Sequence, residues 1–133
     1  QRQMCIRDRE TDMSLFDKLL VAHLVGDWLL QTEWQALNKK KNIRALLYHI
    51  GTYGLVILGA LMLEFSAQNI WIYLATAALM VAHAILDQGW LLIGFMRTFR
   101  LIVERQPERW LTMAVDQSLH IVLLALAAWV LTI

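Results

Sequence analysis

The sequence predicts an all-α fold, an integral membrane bundle of four helices, and three observations predict it. Hydrophobic residues fill 59% of the 133 positions and charged residues only 17%, whereas a soluble domain carries about 45–50% and about 25%. Three long stretches are almost free of charge, and the cationic residues gather in two of the connections between them. A net charge of +1 without a long basic run argues for no nucleic acid partner. Six Trp and a single Pro argue against disorder, and the length suits one domain.

Gln1 to Arg9 (QRQMCIRDR) looks like the in-frame translation of a sequencing adapter, so residues 1–12 are read as a non-native leader and 13–133 as a single transmembrane helical domain. Cys5 belongs to that leader. Without it no cysteine is left for a disulfide, a thiolate site or a nucleophile. A crossing takes about 20 mainly apolar residues. Helix 1, from about Ser14 to Leu37, is interrupted by His23 and Asp27, and it either spans or enters and stays shallow as a re-entrant segment. Ala45 to Leu63 has no charged residue, Phe65 to Met96 only Asp87, and Trp110 to Ile133 only Asp116. Gln106-Pro107-Glu108 marks the start of the last helix, where Pro and an acid suit the first turn.

Orientation follows from the cations. Lys39, Lys40, Lys41 and Arg44 follow helix 1, and Arg97, Arg100, Arg105 and Arg109 follow helix 3, whereas the connection from Glu64 to Asn69 has no Lys or Arg. Both basic connections therefore belong in the cytoplasm, with the chain multi-pass in the lipid bilayer. Trp34 and Trp110 fall at cytoplasmic helix ends and Trp71 and Trp129 at the opposite ends, as interfacial anchors. The Arg97 to Arg109 segment reads as a positive-inside loop in preference to a lipid or phosphate site.

The histidines and intramembrane aspartates are arranged. His23 and Asp27, His83 and Asp87, and Asp116 and His120 are each four apart, one helical turn, so each pair shares a face. From Met13 onward chance would give roughly 0.26 such pairs. His49 stands alone in helix 2. Counted from cytoplasmic ends near Leu37, Arg44, Met96 and Arg109, all seven residues lie about 8 to about 21 Å deep, within one half and the middle of the membrane core. An aspartate at such depth costs at least about 2.5–3.5 kcal/mol, and no Lys or Arg lies in the apolar stretches to pair with it. Protonation, hydrogen bonding to His, or a bound divalent cation must compensate.

Imidazole with carboxylate suits Zn, Mn or Fe, and seven candidate ligands suit one or two ions. The expected metal residues are His23, Asp27, His49, His83, Asp87, Asp116 and His120. Gln31, a turn beyond Asp27, and Gln117, beside Asp116, are placed to orient a ligand or a water. Gly26 would permit close backbone approach. One pair alone would read as a packing hydrogen bond; three, with His49 at a compatible depth, favour the metal, with a proton or ion pathway as the alternative.

The pieces His23-Leu-Val-Gly26-Asp27-Trp-Leu-Leu-Gln31, His49 after a Lys-rich connection, His83-Ala-Ile-Leu-Asp87 and Asp116-Gln117-Ser-Leu-His120 resemble a family. It is the bacterial integral membrane family catalogued as domain of unknown function 3307. The resemblance runs from Leu15 onward. It implies the bacterial inner membrane and the same polar residues, with no activity attached. In that family a basic residue often follows the third-motif aspartate, where this chain has Gln88-Gly89. A looser likeness to membrane-bound metal-dependent hydrolases sets the functional expectation by analogy. That expectation is a metal-dependent hydrolase of a membrane-proximal substrate, its catalytic residues unassigned. The alternatives are a proton- or metal-translocating protein, oligomeric through further copies of itself, or a structural subunit.

Overall fold

The computed structural model describes residues 13–99 and 108–133. The leader, Arg100, Arg105 and the Gln106-Pro107 helix start lie outside the described residues. Six α-helices and no strand occur among those described: α1 (Leu15–Leu24), α2 (Glu33–Asn38), α3 (Ile43–Met62), α4 (Ile70–Asp87), α5 (Trp90–Thr98) and α6 (Arg109–Thr132). The four long elements close a ring in which α1 packs on α3, α3 on α4, α4 on α6 and α6 on α1. Short α2 lies against α3, and α5 against α4 and α6.

Each long helix buries one stripe at helical spacing, as an apolar face should. On α3 the stripe includes Ala45, His49, Tyr53, Ile57 and Leu61; on α4 it is Ile72, Thr76, Leu79, His83 and Asp87; on α6 it is His120, Leu124 and Ala128. The same stripe is apolar at one end of the bundle and polar at the other. Leu15, Leu19, Ile57, Leu61, Ile72, Leu124 and Ala128 build a continuous core where α1 and α4 begin and α3 and α6 end. The histidines and aspartates fill the opposite end. The outward faces remain apolar, with Leu55, Trp71, Leu74, Val81, Val122 and Leu126 all exposed. Trp34, Trp110 and Trp129 are exposed as well.

Three helices, α3, α4 and α6, are long and apolar enough to cross a membrane. The expected fourth, from Ser14 to Leu37, is not one continuous helix. Ser14 opens α1 with a reciprocal capping box to Asp17. After Leu24 the chain widens into a π-turn over Val25–Leu29, closed by Leu30 N–H donating to Val25 C=O at 2.9 Å. It then restarts at Thr32, whose side chain and Gln35 form a second capping box. Such a start signal inside an apolar run ends one helix and begins another. A Cβ on Gly26 would lie 3.2 Å from Tyr53 Cα, so the π-turn sits hard against α3 because residue 26 is glycine.

The expected third helix is likewise divided. The apolar run from Phe65 to Met96 breaks at Gly89, whose φ of +78° is left-handed, and α5 starts afresh at Trp90. Asp87 is thus the last residue of α4, at its end and not nine residues inside it. Gly89→Ala should lower the unfolding free energy by about 1–2 kcal/mol, the cost of a left-handed non-glycine residue. Gly94→Ala, in α5 with open space around its Cα, should leave it unchanged or raise it by up to about 1 kcal/mol. Denaturant unfolding in detergent, followed by tryptophan fluorescence, compares the two.

Candidate metal centre

The π-turn, α3 and the end of α4 bring four side chains to one point. Asp27, His49, His83 and Asp87 each offer a donor atom, all lying within 4.8 Å of one another, and all four residues are buried. The lone histidine is the hub. His49 Nε2 lies 3.2 Å from Asp27 Oδ1, 3.0 Å from Asp87 Oδ2 and 3.0 Å from His83 Nε2. His83 Nε2 in turn is 3.6 Å from Asp27 Oδ1 and 3.4 Å from Asp87 Oδ2. These five separations, 3.0–3.6 Å, bracket the edge of about 3.3–3.4 Å that a tetrahedron has when its bonds are about 2.0–2.1 Å long.

The contacts are close, yet they are not aligned as hydrogen bonds to the carboxylates. Asp27 Oδ1 and Asp87 Oδ2 are buried without an aligned hydrogen bond among the described residues, although the Lys39 ammonium stands beside Asp87 Oδ2, and Nδ1 of His49 and of His83 are without one too. A buried carboxylate without a cation or donor beside it is costly, and a cation among these four atoms would answer both carboxylates at once.

Lys39, the residue capping α2, reaches this group from the first basic connection. Its Nζ is 2.8 Å from Asp87 Oδ2, 3.5 Å from Asp27 Oδ1 and 3.2 Å from His49 Nε2. It is as far from three of the atoms as they are from one another, so it caps one face of the group and does not occupy its centre. The expectation that no cation could pair with the aspartates is corrected here. Helix 1 breaks before Lys39, and α2 carries the lysine back over the site. It also supplies, from another element, the cation beside Asp87 that Gln88-Gly89 do not.

Around these four atoms the remaining expected residues form a supporting layer. Gln117 Nε2 donates to Asp27 Oδ2 at 3.3 Å and to Asp116 Oδ2 at 3.4 Å, while its Oε1 faces His23 Nε2 at 3.1 Å. Holding Oδ2 of Asp27 in this way leaves Oδ1 for the centre. Gln31 Nε2 donates to the Asp27 backbone carbonyl at 3.2 Å, steadying the π-turn. His120 Nδ1 donates to the Asp116 carbonyl at 2.8 Å, so its Nε2 is bare; it and His23 Nδ1 have no partner among the described residues. The His23 and His120 rings stack with centroids 5.2 Å apart, and Tyr53 stacks on His83 at 4.0 Å. His23, Asp116 and His120 thus adjoin the four-atom group without belonging to it.

A cavity of about 610 Å³ leads to the group from the basic end of the bundle. Asp27, Asp87, Asp116 and Gln117 lie along it, with Lys39, Lys40 and Arg109. Trp28, Leu92 and Met113 form its apolar wall.

The described residues form a helical bundle with three helices able to cross a membrane and a buried His/Asp cluster at one end. The chain is a member of the family described as protein of unknown function DUF3307, whose model matches residues 15–133. Searches of curated proteins and of solved structures found no match.

Gln117→Leu should cost about 2–6 kcal/mol, because it strips partners from both His23 Nε2 and Asp27 Oδ2, each at about 1–3 kcal/mol for an orphaned buried group. Lys18→Ala, which breaks an exposed pair with Glu64 at the other end of the bundle, should change stability by less than about 1 kcal/mol. Thermal unfolding of the two variants in detergent measures the difference.

Proposed function

We propose that this protein is an integral membrane metalloprotein that binds one divalent ion, Zn, Mn or Fe, through Asp27, His49, His83 and Asp87. The observation that carries the reading is the set of separations, 3.0–3.6 Å and so near those of a tetrahedral site, among four buried donor atoms whose two carboxylate oxygens lack aligned hydrogen bonds. Two imidazoles and two carboxylates form a neutral complex with a divalent ion, which suits a buried site. A second ion would have to use His23 and His120, whose bare nitrogens lie beside the first group.

The site's position supports a hydrolase of a membrane-proximal substrate. A divalent ion at the end of an open cavity supplies Lewis-acid chemistry there. Asp116, whose side chain is 23% exposed along the same cavity, is placed to accept a proton from a water, with Gln117 fixing its carboxylate. A path through the bundle fits less well, because buried apolar side chains fill the opposite half from Leu19 and Ile57 to Leu61 and Ile72. A proton or ion relay needs polar groups along its length. With the basic connections on the cytoplasmic side of the bacterial inner membrane, the cavity opens toward the cytoplasm.

Untagged protein purified without chelators should carry near-stoichiometric metal by elemental mass spectrometry. His49→Ala and Asp87→Asn should each reduce that content to background, while Lys18→Ala should retain it. Full metal content in both site variants would refute the ligand assignment.

A further inference from the structure

Lys39 sets a charge problem at the metal centre, and its solution identifies the ligand. Its ammonium leans on Asp87 Oδ2 and Asp27 Oδ1, the two oxygens the ion would use, and its side chain is only 11% exposed. Ionised Asp27 and Asp87 supply two negative charges. A divalent ion and Lys39 together supply three positive ones, a few ångströms apart, where repulsion is strong. With Asp116, Glu33, Lys40 and Arg109 of the same cavity counted too, the loaded site keeps an excess positive charge, and one anionic group on the cavity side, touching both cations, offsets it.

The cavity is lined to receive it. Its acids are Asp27, Glu33, Asp87 and Asp116, and its bases are Lys39, Lys40 and Arg109. The lining is therefore net negative when empty of metal and net positive once a divalent ion is bound, so it attracts an anion only in the loaded state. Phosphate suits it better than a carboxylate, because its several oxygens can meet the ion, the ammonium and a guanidinium fork together. Trp28, Leu92 and Met113 supply apolar wall beside those charges.

We propose that the cavity binds a phosphate group, its oxygens between the metal centre and the Lys39 ammonium, with Lys40 and Arg109 nearer the mouth. An apolar tail on the phosphate would lie along Trp28, Leu92 and Met113. This proposal rests on the metal reading above. It makes anion binding metal-dependent and gives Lys39 the role of a substrate-binding residue.

The test uses the full chain in detergent, loaded with Mn²⁺ and freed of excess metal. Phosphorus NMR of inorganic phosphate reads proximity to the ion by line broadening. Saturable broadening is expected with loaded protein, and no phosphate binding by calorimetry with metal-free protein. Lys39→Met should keep its Mn²⁺ and bind phosphate about ten- to a hundredfold more weakly, the usual loss for a charged hydrogen bond. The double variant Lys40→Gln, Arg109→Gln, which removes two cavity cations outside the four-residue group, should also weaken binding and serves where Lys39→Met fails to fold.

Repeating the titration with phosphatidic acid in phosphatidylcholine nanodiscs separates the sources. Tighter binding than inorganic phosphate supports a lipid-borne headgroup, and equal binding supports a free phosphate compound. Phosphate binding that is independent of metal, or unchanged in both the Lys39 and the double variants, overturns the proposal while leaving the metal site intact. Wild-type protein that takes up no Mn²⁺, Zn²⁺ or Fe²⁺ overturns the metal reading and this one with it.

Discussion

Two carboxylates buried against one another dominate this structure. Asp27 and Asp87 come from opposite sides of the ring, each only 5–6% exposed, and both meet His49 within 3.2 Å. Unit charges about 4 Å apart repel by about 4 kcal/mol at an effective dielectric of 20, and the fold sets the Lys39 ammonium beside both of them. Much of the irregular geometry serves that arrangement. The π-turn carries Asp27 toward α3, the end of α4 leaves Asp87 at a helix terminus, and α2 folds back to bring Lys39 over both. None of these features would be needed to pack an apolar bundle.

The division of the bundle into two halves follows from the same constraint. Between apolar helices in a lipid-like environment, packing and interhelical hydrogen bonds hold elements together more than a hydrophobic drive does. The apolar half supplies the packing, through Leu19, Ile57, Leu61, Ile72 and Leu124. The polar half supplies cross-links, with Gln117 joining α6 to α1 and His49 joining α3 to α4. Because both halves use the same helical stripes, each helix is fixed in rotation by its core residues, and that rotation delivers its histidine to the site.

That shared stripe is why so much was legible in the sequence. Turn-spaced His/Asp pairs declare a face whether or not the helix continues, so the convergence of Asp27, His49, His83 and Asp87 survives errors in the helix ends. The breaks were harder to read. Hydropathy averages over a window and passes smoothly across Thr32 and Gly89, although a capping box at Thr32 and Gln35 and a lone Gly after Gln88 were local signals available at both places. Lys39 was not legible at all, since its partners lie 12 and 48 positions away in the chain and charge patterning assigned it to a solvated loop. Only the break in helix 1 brings it back, so missing the break meant missing the cation.

The lysine also bears on how the site can work. Four protein donors would close a tetrahedral ion, as in structural sites, whereas catalytic sites keep a position open. The face made by Asp27, His49 and Asp87 is the one that Lys39 covers, and Asp27 and Asp87 are the two of the four residues that border the cavity. His83, by contrast, is fully buried and stacked on Tyr53. The two imidazoles are therefore the fixed half of the site and the two carboxylates the half facing the cavity. Lys39 stands beside both of those carboxylates and lines the cavity as well, so the residue that neutralises them is also within reach of whatever the cavity holds.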